Sequence, residues 1–149
     1  MITHIQRAKP SQVRQLVNIE RLCFSDDLAF GERQFHHSIS KGNVWVCLQQ
    51  KIVVADLVLI RYKTAKGLLG RIYSVVVHPN HQGNGYGRKL MEHVITTLRI
   101  EGAYAVISEI AETNNVSIRL HQKMGFTTVR FMWDYYGPKQ HGLKLLLRL

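Results

Sequence analysis

Hydrophobic and polar residues alternate along the chain with two spacings, one typical of helices and one typical of strands. Val13, Leu16, Val17 and Phe24 recur at helical intervals after Ser11, a residue type that caps helix N-termini. Shorter apolar runs, bounded by proline, glycine or polar turns, predict strands. The chain therefore combines both kinds of element.

The predicted elements follow one another along the whole chain. In chain order they are a strand at 3–7, helices at 11–24 and 31–40, strands at 44–49, 52–62 and 70–78, a helix that ends near Gly102, a strand at 105–110, a helix at 115–124 and strands at 126–133 and 143–149. The order β-α-α-β-β-β-α-β-α-β-β predicts a mixed sheet with helices packed on its faces, an α/β or α+β three-layer domain.

The composition is that of a folded domain. The chain has 149 residues, of which 46% are hydrophobic and 20% charged, so we expect one domain over 1–149. The longest apolar run, 52–60, is interrupted by Asp56 and is shorter than the ~20 residues that span a membrane. The N-terminal segment lacks the apolar stretch of a signal peptide, and Cys23 and Cys47 are too few for a disulfide framework. We expect a cytoplasmic protein with reduced thiols.

The charge balance indicates an anionic partner. Twenty Lys and Arg residues against ten Asp and Glu residues give a net charge of +10, which suits nucleic acid, anionic lipid or a phosphorylated ligand. The basic residues are scattered, however, and the longest basic run is Arg88-Lys89. The sequence shows neither a helix-turn-helix nor the aromatic and basic pattern of ribonucleoprotein domains. A nucleic-acid-binding module is therefore the alternative of another class.

A glycine-rich turn, Gln82–Arg88, lies between a predicted strand and a predicted helix. Alternate glycines let successive amides point the same way, and the helix N-terminus adds partial positive charge, so the turn suits a phosphate or diphosphate. A dinucleotide fingerprint would need its third glycine at Arg88, and a phosphate-binding Walker loop would need a Gly-Lys-Ser/Thr sequence that the chain lacks. A purely structural strand-to-helix turn is the alternative.

Two motifs resemble those of the GNAT acetyltransferase superfamily. The stretch 75–79, Val-Val-Val-His-Pro, followed by Gln82–Gly87, resembles its acyl-CoA-binding motif, Gln/Arg-x-x-Gly-x-Gly/Ala after a strand that ends in His/Asp-Pro. Residues 114–126, which end in Met-Gly-Phe, resemble the family's last conserved helix. The Glu109-to-Asn114 spacing and the pair Tyr135-Tyr136 most resemble the branch of ribosomal-protein-alanine N-terminal acetyltransferases.

The resemblance implies the three-layer GNAT fold, with about seven strands in a mixed sheet, helices on both faces and a splayed cofactor cleft. It also implies acetyl-CoA as co-substrate and no metal. The pantetheine arm would lie along the backbone of 75–77, the diphosphate on the amides of 83–88, and the pantetheine end beside Asn114. The cofactor-binding residues implied are Val75, Val76, Val77, Gly83, Asn84, Gly85, Tyr86, Gly87, Arg88 and Asn114.

The same resemblance implies direct attack by an amine on the thioester, without a covalent enzyme intermediate. Glu109 stands where the alanine-acetylating branch has its glutamate and is the candidate base, acting through water. The family's acid is a tyrosine seven residues after the asparagine, and this chain has His121 there. His121 is the candidate acid, with Tyr135, Tyr136 or water as alternatives.

The evidence for other candidate site residues is weaker. His78 and His81 lie close in sequence, but no third metal ligand is evident. Residues 28–30 should form one wall of the acceptor pocket, although the alanine-acetylating branch usually has a Pro-Trp pair where this chain has Asp27-Leu28.

The function predicted is acetyl transfer from acetyl-CoA to a primary amine, with a protein N-terminus favoured over a small amine. A non-catalytic CoA sensor is a further alternative, and the acceptor, the acyl chain length and the choice between monomer and homodimer stay open.

Overall fold

The computed structural model describes residues 3–24 and 29–149. Within them the chain forms seven strands and four α-helices, in the predicted order. They are β1 (Thr3–Arg7), α1 (Val13–Cys23), α2 (Glu32–Ser40), β2 (Val44–Gln49), β3 (Ile52–Thr64), β4 (Gly67–Val77), α3 (Tyr86–Ile100), β5 (Ala105–Ala111), α4 (Asn115–Lys123), β6 (Thr127–Gly137) and β7 (Gln140–Arg148). Among the described residues, no helix combines the length and the apolar composition that a membrane crossing requires.

The strands form one mixed sheet in the order β1-β2-β3-β4-β5-β7-β6. Together with the four helices, this confirms the predicted fold class. Three of the strands extend beyond their predicted ends. β3 and β4 approach each other and are separated only by a turn at 65–66, and β6 continues to Gly137. The Thr64 hydroxyl fixes the first of these turns because it accepts from Lys66 N (3.1 Å) and donates to Gly67 O (3.1 Å).

The prediction of Ser11 as a helix cap is wrong. Ser11 lies inside a short 3₁₀ turn, Pro10–Gln12, and α1 begins at Val13 without a side-chain cap. The fixed φ of proline starts that turn. The side chain of Gln12 closes it, because Gln12 Oε1 accepts a hydrogen bond from Lys9 N (2.8 Å).

The chain divides into two compact units, and the first comprises Met1–Leu59 with Ser74–Val94. In it β2 pairs antiparallel with β1 and with β3, and the tight turn between β2 and β3 has a positive φ at both Gln50 and Lys51 (50° and 69°). Its core packs α1 and α2 on the sheet and includes Leu16, Phe35 and Val76.

The second unit comprises Ile60–Tyr73 with Ile95–Leu149. Here β4 runs parallel to β5 from Leu69↔Ala105 to Ile72↔Ser108, and β7 pairs antiparallel with β5 and with β6. The end of α3 packs closely on β4, because a Cβ at Gly70 would lie 2.5 Å from Leu98 Cδ1. A single domain over 1–149 stays a prediction.

The core of the first unit contains a carboxyl group without a hydrogen-bond partner among the described residues. Asp56 lies opposite Val46 in the β2–β3 ladder, is 0% exposed, and leaves both carboxyl oxygens unpaired. Burial raises the pKa of Asp56 well above its ordinary value, and the neighbouring carboxyl of Glu20 raises it further. Glu20 is buried as well, and its Oε1 accepts a hydrogen bond from Phe30 N (3.0 Å).

We expect Asp56→Leu to stabilise the protein, increasingly as the pH rises. The raised pKa means that the folded state holds the Asp56 proton more tightly than the unfolded chain does. The parent therefore loses stability as the pH rises from the unfolded pKa of ~3.9 toward the folded one. Leucine has no such titration and suits the apolar surroundings, so the gain should reach about 1–3 kcal/mol at pH 8.

Thermal unfolding of both proteins at pH 5 and pH 8 measures this difference. Glu32→Gln, at an exposed position of α2, is the control and should change little at either pH. A loss of stability in Asp56→Leu at pH 8 would contradict the account.

Candidate active site

The glycine turn leaves a row of backbone amides open at the start of α3. Gly83 and Gly85 have φ of +82° and +80°, the left-handed region that glycine adopts most readily. A Cβ at either position would meet nothing within 4 Å, so the space beside the turn is open. The first hydrogen bond into α3 runs from Lys89 N to Gly85 O (3.0 Å), and the amides of 86–88 precede it without an intrahelical acceptor.

Polar side chains brace the glycine turn from its first half. Gln82 Nε2 donates to Val77 O (3.2 Å), and Asn84 Nδ2 donates to His81 O (3.0 Å). The first turn of α3 carries no acidic side chain, so the positive end of the helix dipole is not neutralised there. The turn can therefore accept an anionic group through its backbone.

Positive side chains beside the turn are partly engaged. Arg88 pairs with Glu92 one helical turn away (2.9 Å), and Lys89 Nζ lies 3.4 Å from Thr3 Oγ1. Both pairs are exposed, and exposed pairs contribute little free energy. An incoming phosphate could therefore displace them at small cost.

The strand that leads into the turn has its backbone partly occupied. Val76 is buried in the core, while Val75 and Val77 are half-buried. The carbonyl of Val77 accepts from Gln82 and also from the thiol of Cys23 (3.5 Å). A ligand that lies along 75–77 would have to use the other backbone groups of this segment.

In the second unit, Glu109 forms an ion pair with Arg71. Arg71 Nε donates to Glu109 Oε2 (2.9 Å), and Arg71 Nη1 donates to the hydroxyl of Tyr62 (3.3 Å). The side chains of Arg71 and Glu109 are 22% and 13% exposed. Burial acts to lower the pKa of Arg71, but hydrogen bonds with Tyr62 and Glu109 outweigh it and raise that pKa above its ordinary value. Arg71 therefore stays charged and fixes the direction of the carboxylate.

Aromatic side chains surround this pair. The guanidinium of Arg71 lies 5.3 Å from the ring centroid of Tyr73, and the rings of Tyr135 and Tyr136 meet edge to face at 4.9 Å. Burial raises the pKa of Tyr136 to about 12, with further contributions from Tyr135 and Glu109. Tyr136 is thus protonated at neutral pH and lies near Glu109. We call Arg71, Glu109, Tyr62, Tyr73 and Tyr136 the carboxylate cluster.

His121 lies in the core of the second unit rather than on its surface. It is 1% exposed, and its Nδ1 is 2.8 Å from Ser117 O, so this nitrogen carries the proton. Its Nε2 is 3.0 Å from Ser108 Oγ and accepts from that hydroxyl. Burial lowers the pKa of His121, although the bond to Ser117 opposes this. His121 as the acid stays a prediction, and its burial and its engaged nitrogens weigh against it.

Asn114 lies at the start of α4. Its side-chain oxygen accepts from Ser117 N (3.2 Å), which caps the helix. Asn114 is exposed. The cap uses only its side-chain oxygen, so its NH₂ group takes no part in the capping hydrogen bond. A contact between that amide and the cofactor is compatible with this geometry.

The predicted acceptor wall is only partly described. Leu28 lies outside the described residues, whereas Ala29 and Phe30 are half-buried. The ring of Phe30 packs edge-on against Phe35 at 5.2 Å. Among the residues that the structure describes, no three His, Cys, Asp or Glu side chains gather as metal ligands.

Sequence reasoning missed Arg71, Tyr62 and Tyr73. Arg71 counted only toward the net charge of +10. Its partner lies 38 residues away in sequence, and the pairing depends on the β4–β5 register. The one local signal was the alternation of Arg71 and Tyr73 on one face of a predicted strand.

Comparison with known proteins agrees with these motifs. The family model "Acetyltransferase (GNAT) family" matches residues 13–126. The chain is 45% identical, over 60 residues, to an L-methionine sulfoximine/L-methionine sulfone acetyltransferase of Salmonella typhimurium, which is 40% of this chain and 35% of that protein. It is 30% identical over 69 residues to a ribosomal protein bS18-alanine N-acetyltransferase of the same organism, which is 46% of this chain and 47% of that protein.

The sequence matches thus span about a third to a half of the curated relatives. The fold likeness is broader. The crystal structure of a NatC complex bound to Gag peptide and CoA contains a chain that superposes with a TM-score of 0.89 at 19% identity, over 100% of this chain and 99% of the other. The predicted resemblance is confirmed, and the chain belongs to the GNAT acetyltransferase family.

Proposed function

We propose that this protein is an acetyl-CoA-dependent N-acetyltransferase in which an amine attacks the thioester directly. The observation that carries the proposal is the open amide row of 83–88 at the start of α3, in a chain of the GNAT family. The carboxylate cluster supplies the polar chemistry that amide formation requires. The relatives matched in sequence are named for acetyl transfer, which supports the same assignment.

The residues present fit acetyl-CoA. Acetyl-CoA, when bound, supplies the acetyl group as an activated thioester. The amides of 83–88 would hold the diphosphate, and hydrogen bonds to charged groups contribute about 1.5–3 kcal/mol each. Free backbone groups of 75–77 would bind the pantetheine arm, and the amide of Asn114 its far end. Because Val77 O is engaged, the arm would have to use other backbone groups of this segment.

Glu109 is the proposed base, acting on the acceptor amine through a water molecule. Arg71 engages Oε2 and leaves Oε1 to accept a proton or a hydrogen bond. A carboxylate is a weak base, so it serves best where the amine needs little help. A peptide α-amine has a pKa of ~7.7–8.0, against ~10.4 for lysine. This comparison supports a protein N-terminus as the acceptor.

Tyr136 is the proposed hydrogen-bond donor to the leaving sulfur. Its hydroxyl remains protonated because burial raises its pKa to about 12. A thiol is more acidic, with a pKa of ~8.5, so Tyr136 would stabilise the thiolate by a hydrogen bond and water would complete the protonation. His121 is the alternative donor, but its Nδ1 proton is committed to Ser117 O.

A free amino acid is the second candidate acceptor. The observation in its favour is the 45% identity with a relative named for acetylating L-methionine sulfoximine and L-methionine sulfone. A screen of peptides and free amino acids with acetyl-CoA, read by thiol release, distinguishes the two. The proposed activity would be refuted if calorimetry showed no CoA binding at about millimolar ligand and no acceptor gave thiol release.

Gly85→Val should abolish or strongly weaken CoA binding while the fold persists. A β-branched residue resists the positive φ of this position, and its side chain would fill the open space beside the turn. Calorimetric titration with CoA and a thermal melt of the same sample measure the two properties. Gly102→Val, also at positive φ and in open space but at the end of α3, is the matched control and should retain binding. If Gly85→Val bound CoA as tightly as the control and the parent do, the glycine turn would be merely structural.

Glu109→Gln should reduce kcat by about 10²–10⁴-fold, the usual range for loss of general acid–base help. The affinity for acetyl-CoA should hardly change, because backbone amides and Asn114 bind it. A higher pH should recover part of the rate, since more of the amine is then neutral. Single-turnover rates from pH 6.5 to 9.5 measure this. A variant as fast as the parent at pH 7 would remove Glu109 from the mechanism.

Tyr136→Phe should slow the reaction more than His121→Phe does. The parent rate should rise with pH as the amine loses its proton, and then stay level to about pH 10, because the Tyr136 donor is still protonated. If protonated His121 were the donor, its lowered pKa would shrink the imidazolium fraction as the pH rises, so the rate would fall rather than stay level once the amine is neutral, above about pH 8. The pH dependence of kcat in the parent and both variants distinguishes these donors.

A further inference from the structure

The second unit carries an open groove on one face of its sheet. The groove has a volume of about 570 Å³. The helices of this unit pack on the other face, where Leu98 abuts Gly70 and His121 bonds to Ser108. Because side chains alternate along a strand, Leu69 and Ile107 point away from those helices. They form the floor of the groove together with Val129 and Leu146.

The rim of the groove is basic. Lys66, Lys144 and Arg148 line it, and no acidic side chain does. No ion pair joins any of these three to another of the described residues. Lys66 and Arg148 are exposed, and Lys144 is half-buried. An apolar floor beneath three unpaired cations suits an extended chain that carries both carboxylates and aliphatic atoms.

The groove is continuous with the carboxylate cluster. Lys144 lies directly opposite Glu109 in the β5–β7 ladder, and Arg71 lies beside Ile107 in the β4–β5 ladder. From Glu109 to Ala105 the strand spans four residues, about 13 Å at ~3.3 Å per residue. An extended acceptor with its amine at Glu109 would place its third to fifth residues over the groove.

We propose that this groove binds the acceptor polypeptide beyond its reacting end and selects acidic residues at about the third to fifth positions. The inference rests on the proposed function, because it takes Glu109 as the place of the amine. Charge complementarity determines the occupant. A second copy of the chain would bring like charges together, a free amino acid would not reach the groove, and the apolar lining, aliphatic apart from Tyr104, offers little stacking surface to nucleic acid.

The test compares peptide acceptors that share their first two residues and carry three glutamates, three glutamines or three lysines at positions three to five. The parent should prefer the glutamate peptide to the glutamine peptide by about tenfold in kcat/KM, as expected for two or three partly exposed ion pairs. This preference should shrink in 0.5 M salt. The double variant Lys66→Glu/Arg148→Glu should prefer the lysine peptide, and its turnover of a dipeptide amide should match that of the parent.

Arg119→Glu/Lys123→Glu is the matched control. It makes the same change in net charge at exposed positions of α4, outside the groove, and should keep the parent's preference. An equal loss of preference in both double variants would overturn the proposal, as would an unchanged preference in the groove variant. Thermal melts establish that both variants fold. If the groove variant does not fold, the single change Lys66→Gln replaces it and should reduce the preference for the glutamate peptide to half or less.

Binding of a fluorescent, N-acetylated glutamate peptide separates the groove from catalysis. Fluorescence anisotropy should show binding to the parent and weaker binding to the groove variant, even if no acceptor is turned over. Binding without turnover would support the groove and refute the proposed function. Displacement of the peptide by a short oligonucleotide that binds more tightly through the same side chains would overturn the choice of occupant.

Discussion

The ion pair between Arg71 and Glu109 is the interaction on which the proposed chemistry of the second unit depends. It joins side chains from two parallel strands at the end of their shared ladder, which runs from Leu69↔Ala105 to Ile72↔Ser108. A half-buried pair recovers its desolvation cost only when further hydrogen bonds satisfy it. Tyr62 supplies one of these bonds and the ring of Tyr73 a second favourable contact. The pair therefore holds the Glu109 carboxylate in one direction within a largely aromatic setting.

The two units divide the proposed work by chemical type. The first presents backbone amides at the glycine turn, whereas the second presents side chains around Glu109. Backbone amides are present whatever the surrounding side chains are. A diphosphate site made of them therefore depends mainly on the glycines that shape the turn. The fold itself also tolerates wide sequence variation, since a chain only 19% identical to this one superposes with a TM-score of 0.89. The side chains of the second unit and of the acceptor wall are where we expect family members to differ in specificity.

The order of elements could be predicted because each has a distinct apolar spacing and a clear end. The glycine turn could be predicted because Gly83 and Gly85 take a backbone conformation that few other residues accept. The ends of β3, β4 and β6 could not, because hairpins at 65–66 and after Gly137 depend on local hydrogen bonds rather than on hydropathy. The position of Ser11 shows the same limit, since Gln12 and Pro10 determine how α1 begins.

The candidate site was predictable only where chemistry is local in sequence. Glu109 and Asn114 were predicted because their spacing resembles that of the alanine-acetylating branch, but the guanidinium that orients Glu109 comes from a strand 38 residues earlier. His121 falls at the family's acid position, yet its depth depends on how α4 packs on Ser108, which no single segment reveals. Long-range register and burial are set by the tertiary structure, and the partners of Glu109 and His121 depend on both.

A double-mutant cycle on Arg71→Gln and Glu109→Gln tests the central claim most directly, with kcat/KM for acetyl transfer as the readout. If Arg71 acts by orienting Glu109, removing it should slow the parent markedly and leave Glu109→Gln almost unchanged, so that the two effects are strongly non-additive. Equal effects of Arg71→Gln in both backgrounds would show that the two residues act independently and would contradict the account.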